Sequence, residues 1–105
     1  MDIFQALAEP NRRKILEIIA KNGELSASDI FNKFDSTAPA ISQHLKVLRV
    51  SNLVMVEKRA QQRIYKINTE PLLEMESWIK EMTKLWNEKF DALDALLQEE
   101  KKKLL

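Results

Sequence analysis

The sequence predicts a mainly helical domain that carries one small β-hairpin. Apolar residues recur at intervals of three or four through most of the chain, which is the spacing of amphipathic helices. Between residues 54 and 67 the spacing changes to two, which is the alternation of half-buried strands. The chain has one glycine and three prolines, so its helices are seldom interrupted.

The composition excludes several function classes. A length of 105 residues with 45% hydrophobic residues predicts one domain over residues 1–105 with its own core. The absence of cysteine excludes disulfides, thiolate metal sites and cysteine nucleophiles, and the single glycine excludes glycine-rich phosphate loops. Neither a signal peptide nor a membrane-spanning apolar run is visible, so we expect a cytoplasmic protein.

The first third of the chain predicts three helices. An apolar segment over residues 3–7 comes first, and Pro10 begins the second helix. Gly23 ends that helix, because glycine readily adopts the left-handed backbone found at helix ends. Ser26 can cap a third, short helix, with Asp29 three positions later close to a capping box.

The fourth helix is predicted to begin at Thr37, which serves as its N-cap, and Pro39 is tolerated in its first turn. Ile41, Leu45 and Leu48 form a narrow apolar stripe along it. With about 100° of rotation per residue, the opposite face carries no acidic group. The residues on that outward face are Pro39, Ser42, Gln43, Lys46 and Arg49.

Two strands follow, around residues 54–57 and 64–67, and they predict a hairpin. The connector, residues 59–62, contains no glycine or asparagine, so we predict a tip that is longer and looser than a tight two-residue turn. Cationic and amide side chains cluster at this tip: Lys58, Arg59, Gln61, Gln62 and Arg63.

A long last helix is predicted over about residues 71–100. Its apolar positions form a stripe that is too long for so small a domain to bury alone. We therefore predict a dimer interface, with a small-molecule cage around Trp78 and Trp86 as the alternative. The residues predicted for this interface are Ile3, Phe4, Leu7, Trp78, Met82, Trp86 and Phe90.

Charge is concentrated in the middle of the chain. Residues 36–69 hold six basic residues and a single acidic one, Glu57, so their net charge is +5 against +1 for the whole chain. Such a basic block indicates a polyanionic partner, although a solvated surface or a hairpin protected by charge against aggregation would also carry it. Glutamine, serine and cations on the outer face of a helix suit base edges and phosphates, which favours double-stranded DNA.

Short helices followed by a basic hairpin are the plan of a winged helix-turn-helix protein, with the hairpin as the wing. Residues 6–16, 40–48 and 63–68 resemble the opening, the recognition helix and the second wing strand of ArsR-family (ArsR/SmtB) repressors. The resemblance implies a homodimeric transcriptional repressor that binds a palindromic operator. The predicted DNA contacts are Thr37, Pro39, Ala40, Ser42, Gln43, His44 and Lys46 on the fourth helix and Lys58, Arg59, Gln61, Gln62 and Arg63 in the wing.

The chain departs from metal-sensing members of the ArsR family. Those members carry a cysteine-containing motif on the third helix, where this chain has residues 25–29 without cysteine, and its last helix has no histidine. Glu88, Asp91 and Asp94 could approach one ion, but such carboxylates are usually the solvated side of a helix. We expect no metal and no cofactor, and the sequence does not identify an effector.

No catalytic constellation is visible, so we predict a protein that is not an enzyme. Ser42 and His44 are two residues apart on a helix and point in nearly opposite directions. His44 lies at the edge of the buried stripe, which favours a structural hydrogen bond or a phosphate contact over pH sensing. The alternative to a repressor is a winged-helix protein–protein module that docks partners on its last helix, but the basic face of residues 39–49 favours DNA binding.

Overall fold

The computed structural model describes residues 2–104. Its elements are α1 (Ile3–Ala8), α2 (Pro10–Asn22), β1 (Leu25–Ser26), α3 (Ala27–Asn32), α4 (Ala38–Val50), β2 (Val54–Arg59), β3 (Gln62–Ile67) and α5 (Thr69–Leu104). The predicted order of four helices, a hairpin and a long helix is confirmed. The structure adds β1, which is two residues long and therefore too short to show alternation in the sequence.

Local capping groups fix the helix boundaries. The Ser26 hydroxyl accepts a hydrogen bond from the backbone N–H of Asp29 at 3.1 Å, and the Thr37 hydroxyl accepts one from that of Ala40 at 3.3 Å. Gly23 ends α2 with a φ of 81°, a conformation that favours glycine. One backbone N–H at the start of α3 and one at the start of α4 are thus satisfied by the capping residues that the sequence indicated.

The three strands form an antiparallel sheet in the order β1-β3-β2. β2 and β3 pair along their whole length, and the last pair before the turn is Arg59 opposite Gln62. β1 extends the sheet on the other side of β3, with Leu25 opposite Tyr65. The hairpin is therefore attached to the segment that connects α2 to α3.

The hairpin turn is tighter than predicted. Because Arg59 pairs with Gln62, only Ala60 and Gln61 form the turn, and the prediction of a longer, looser tip is wrong. Ala60 has a φ of 53°, in the left-handed region that costs an L-residue roughly 1–2 kcal/mol. The six cross-strand pairs of the hairpin compensate for this cost, so a turn without glycine or asparagine still closes.

The described residues up to Leu72 belong to a compact unit with its own hydrophobic core. Helices α2, α3 and α4 and the segment after α4 supply the largest fully buried side chains. These are Ile15, Ile19, Ile30, Ile41, Leu48 and Leu53. The predicted stripe of Ile41, Leu45 and Leu48 is buried, so the core holds one face of α4 and leaves the opposite face to solvent.

Leu73 begins a second unit, which consists of the remaining part of α5. Its large apolar side chains between residues 73 and 97, apart from the half-buried Met75, are 40–64% exposed. Within residues 2–104, no helix combines the length and the apolar character needed to cross a membrane. The single domain predicted over residues 1–105 stays a prediction.

Candidate nucleic-acid interface

The outer face of α4 presents most of the residues predicted to contact bases. The exposed members of that set are Thr37, Pro39, Ala40, Ser42, Gln43 and Lys46. Apolar side chains on the inner face anchor the helix to the core. No residue of α4 is acidic, so the exposed face offers hydroxyl, amide and cationic groups without a charge that would repel phosphate. This set of groups suits the edges of bases in the major groove.

His44 differs from the other predicted residues of α4 because its side chain, 18% exposed, is turned towards the corner between α1 and α2. Its Nδ1 atom lies 3.4 Å from Nη1 of Arg12, and its Nε2 atom lies 3.8 Å from Oε2 of Glu9. The structure thus provides the structural hydrogen bond expected at the edge of the buried stripe. A contact between His44 and DNA stays a prediction.

Arg12, which was not among the predicted residues, links α1, α2 and α4. Its Nε atom donates to the carbonyl oxygen of Ala6 at 2.6 Å, and Nη2 donates to that of Gln5 at 3.2 Å. These carbonyls lie in the last turn of α1, where no intrahelical donor is available. The His44 partner is 32 positions away in sequence, so local spacing could not have revealed this role.

Lys58 and Arg63 lie on the inner face of the hairpin, which is the face that packs on the core. The two residues are opposite each other in the β2–β3 register, and side chains on one face of a strand recur every second residue. Lys58 therefore shares a face with Val56, and Arg63 shares it with the buried Tyr65. Both cations lie on the side of the sheet that packs on the core.

A groove brings cations of the helix and the wing together. Lys46, Arg49 and Arg63 line a groove with a volume of about 380 Å³. The other residues that line it are Ala27, Phe31, Ser42, Leu45 and Tyr65. Arg49, which the sequence places on the outward face of α4, thus joins the predicted cations. Three cations on one groove suit the phosphate backbone of a nucleic acid.

Arg59 has two carboxylate partners, Glu24 and Glu57. Its Nη1 atom donates to Oε2 of Glu24 at 2.5 Å, and its Nη2 atom donates to Oε2 of Glu57 at 2.9 Å. Lys66 also approaches Glu57, with 3.7 Å between Nζ and Oε2. Hydrogen bonds to Glu57 and Glu24 raise the pKa of Arg59, and the hydrogen bond from Arg59 lowers the pKa of Glu57. The cation of Arg59 is thus already paired within the protein.

The residues predicted for a dimer interface lie in both units. On α1, Ile3 and Leu7 are partly buried against the core, whereas Phe4 is 46% exposed. On α5, Trp86 is 64% exposed, and its ring meets that of Phe90 edge to face with 4.7 Å between the centroids. Met82 and Trp78 are 40% and 51% exposed on the same helix. The exposed apolar side chains on α5 form a surface that is typical of a protein–protein contact.

Metal-ligating side chains do not cluster in the part of the chain that the structure describes. Within residues 2–104 there is no group of three or more histidine, cysteine, aspartate or glutamate residues that could hold an ion. Glu88, Asp91 and Asp94, the carboxylates considered in the sequence, are exposed on α5.

Residues 9–56 match the family model of bacterial regulatory proteins of the arsR family. The chain is 33% identical over 78 residues to the transcriptional repressor SdpR of Bacillus subtilis, an alignment that covers 74% of this chain and 86% of SdpR. It is 30% identical to the arsenic resistance transcriptional regulator ArsR2 of Pseudomonas putida, with coverage of 77% and 67%.

Solved structures agree with these sequence relatives. The crystal structure of an ArsR family transcriptional regulator superposes with a TM-score of 0.74 at 33% identity, covering 81% of this chain and 87% of that one. An ArsR-like regulator from Rhodococcus sp. RHA1 shares the fold with a TM-score of 0.81 at 22% identity, over 90% and 88% of the two chains. The relatives and the fold are those of transcriptional regulators and not of enzymes. The chain therefore belongs to the ArsR family of winged helix-turn-helix transcriptional regulators.

Proposed function

We propose that this chain is a homodimeric repressor that binds a palindromic operator in double-stranded DNA. The observation that carries the proposal is the exposed, acid-free face of α4 beside a groove lined by Lys46, Arg49 and Arg63. Since the relatives include named repressors, repression is the expected outcome of operator binding. A repressor binds chromosomal DNA, so the proposal includes a cytoplasmic location.

In this proposal α4 enters the major groove and reads the bases. Gln43 is suited to bidentate hydrogen bonds with adenine, and Ser42 can donate or accept. Lys46 contacts guanine or phosphate from the next turn of the helix. The remaining residues proposed for this contact are Thr37, Pro39, Ala40 and His44.

The wing supplies contacts that are independent of sequence. Lys58 and Arg63 continue the cationic groove along β2 and β3, and a cation there meets phosphate or enters the narrow minor groove. Gln61 and Gln62 are exposed at the tip of the hairpin and complete the proposed contact. Arg59 was predicted for the same surface, but its guanidinium is bound to Glu24 and Glu57.

The second copy of the chain binds through the apolar stripe of α5. Trp78, Met82, Trp86 and Phe90 recur every four residues on this helix, all of them 40–64% exposed. A two-fold interface buries the same stripe from both copies, and it sets two recognition helices on one operator. The predicted contribution of Ile3, Phe4 and Leu7 to this interface stays a proposal.

Selection of bound duplexes from fragmented genomic DNA, followed by sedimentation of the complex, tests this function. We expect enrichment of a two-fold symmetric site, with two copies of the chain on each duplex and half-sites about 34–36 Å apart. A variant with Lys46, Arg49 and Arg63 changed to Ala is the control and should enrich nothing. No enrichment by the unchanged protein would favour the alternative, a protein–protein module that uses only the α5 stripe.

A further inference from the structure

We propose that Arg59 is a positioning residue that braces the wing, and not one of its DNA contacts. Arg59 fastens the end of β2 to the segment before β1 through Glu24, and Glu57 holds the guanidinium between them. The inference rests on the DNA-binding function proposed above, because it separates the wing residues that would touch DNA from a residue that holds the wing in place.

The strand register places Arg59 away from the groove. Neighbouring residues of a strand point to opposite faces, so Arg59 and Lys58 lie on opposite sides of the hairpin. Lys58 is opposite Arg63, which lines the groove, whereas Arg59 shares its face with Glu57. Of the two adjacent cations, only Lys58 thus lies on the face of the sheet that borders α4.

The partners of Arg59 connect the two edges of the sheet. Glu24 immediately precedes β1, and β3 lies between β1 and β2. A contact from the end of β2 to Glu24 therefore spans the whole sheet, and it joins residues that are 35 positions apart. Both oxygens of Glu24 take part, with Nη2 of Arg59 lying 3.4 Å from Oε1. This geometry fixes the orientation of the hairpin relative to the segment that leads into α3.

The outer face of the sheet carries one buried apolar side chain beside the carboxylates that bind Arg59. Ile64 on that face is 7% exposed, and its cross-strand partner is Glu57. Long charged side chains can cover apolar surface with their stems while their ends stay in water. Arg59 holds Glu57, the cross-strand partner of Ile64, through the hydrogen bond between Nη2 and Oε2.

Charge supports the same division of roles. The outer cluster contains two cations, Arg59 and Lys66, and two carboxylates, Glu24 and Glu57, so it is neutral. In the described part of the chain, Lys58 and Arg63 form no ion pair. A polyanion is therefore attracted to the inner face, while on the outer face it would meet two carboxylates.

Salt dependence of DNA binding distinguishes a phosphate contact from a brace. Affinity is measured on a fixed duplex between low and high salt for the unchanged protein, Arg59→Ala and Lys58→Ala. Each lost phosphate contact reduces the slope of log affinity against log salt by about 0.9. We expect that reduction for Lys58→Ala, the adjacent cation on the other face, and an unchanged slope for Arg59→Ala. An equal reduction for both variants would overturn the proposal.

Amide hydrogen exchange of the free protein tests, without DNA, whether Arg59 holds the wing in place. We expect the amides of residues 60–62 to exchange roughly two- to five-fold faster in Arg59→Ala and in Glu24→Gln than in the unchanged protein. This range corresponds to the free energy that an exposed ion pair contributes to stability. The double variant should exchange no faster than either single one, and Lys58→Ala should match the unchanged protein. Unchanged exchange in Arg59→Ala would overturn the brace. If Lys58→Ala leaves the salt slope unchanged, the proposed wing contact fails while the exchange result still decides the role of Arg59.

Discussion

Nδ1 of His44 on α4 lies 3.4 Å from Nη1 of Arg12 on α2. A guanidinium can only donate, so in this contact Nδ1 of the imidazole is the acceptor. Nε2 of the same ring lies 3.8 Å from Oε2 of Glu9. The contact thus ties α4 to the corner between α1 and α2.

We predict that His44→Ala lowers the free energy of unfolding by about 0.5–1.5 kcal/mol, because Arg12 loses an acceptor in a partly buried position. Urea unfolding followed by circular dichroism measures the change. Gln43→Ala, the exposed neighbour, is the matched control and should stay within about 0.5 kcal/mol of the unchanged protein. Equal stabilities for the two variants would show that the contact with Arg12 contributes nothing.

Gln43→Ala should cost roughly 1–3 kcal/mol of operator affinity and relax discrimination at one base pair, because a bidentate contact to a base is lost. Titration of the operator and of single-base variants measures both effects. Gln98→Ala on α5 removes the same group from outside the proposed surface and should change neither. Equal losses on operator and random DNA would show that Gln43 does not read a base.

Arg63→Ala should weaken binding to all duplexes and flatten the salt slope by about one unit, because one phosphate contact is lost. Lys66→Ala removes a cation from the opposite face of the same strand and is the matched control. Its salt slope should match that of the unchanged protein. If the two variants gave the same slope, the assignment of the inner face of the wing to DNA would be wrong.

The sequence was sufficient for the helices and for the two hairpin strands because their signals are local, whereas the two-residue β1 carries no such signal. Ser26, Thr37 and Gly23 act on backbone groups within a few residues of themselves, so their roles could be read from the chain. The turn at Ala60 could not be predicted, because its left-handed backbone is imposed by the pairing of both strands and not by the turn residues.

On α4 the candidate site was predictable for the same reason, because a helical wheel separates buried from exposed residues. The contacts of His44 and Arg59 join residues that are 32 and 35 positions apart, and no periodicity encodes them. The alternation of the strands did contain a signal for the wing, since it places Lys58 and Arg59 on opposite faces once the hairpin register is known.

Zinc, copper and nickel should leave operator affinity unchanged. The chain has no cysteine, and its single histidine is engaged with Arg12 and Glu9, so soft ligands for these metals are missing. Isothermal titration at neutral pH, with the same titration in the presence of excess chelator as control, measures any site. A stoichiometric, sub-micromolar site that releases DNA would contradict the prediction.

Trp86→Ala should dissociate the dimer, because a large aromatic contact is removed from both copies at once. Where the ring is fully buried in the interface, the loss is about 3–5 kcal/mol for each copy. Sedimentation at micromolar concentration detects dissociation, and operator affinity should fall with it. Asn87→Ala, at the next position of the helix, is the control and should remain dimeric. A dimeric, folded Trp86→Ala variant would place the interface elsewhere.

The pairing of Arg59 with Gln62 also limits how the length of the wing can change. Deleting one residue from the middle of β2 would exchange the inward and outward positions of everything between the deletion and the turn. Lys58 would then lie at the position of Glu57 on the outer face of the sheet. Arg59 would lie at the position of Lys58, on the face that borders α4. Insertions and deletions at the turn, residues 60–61, would leave the faces of both strands unchanged, whereas a single deletion within β2 would reverse them unless a β-bulge formed.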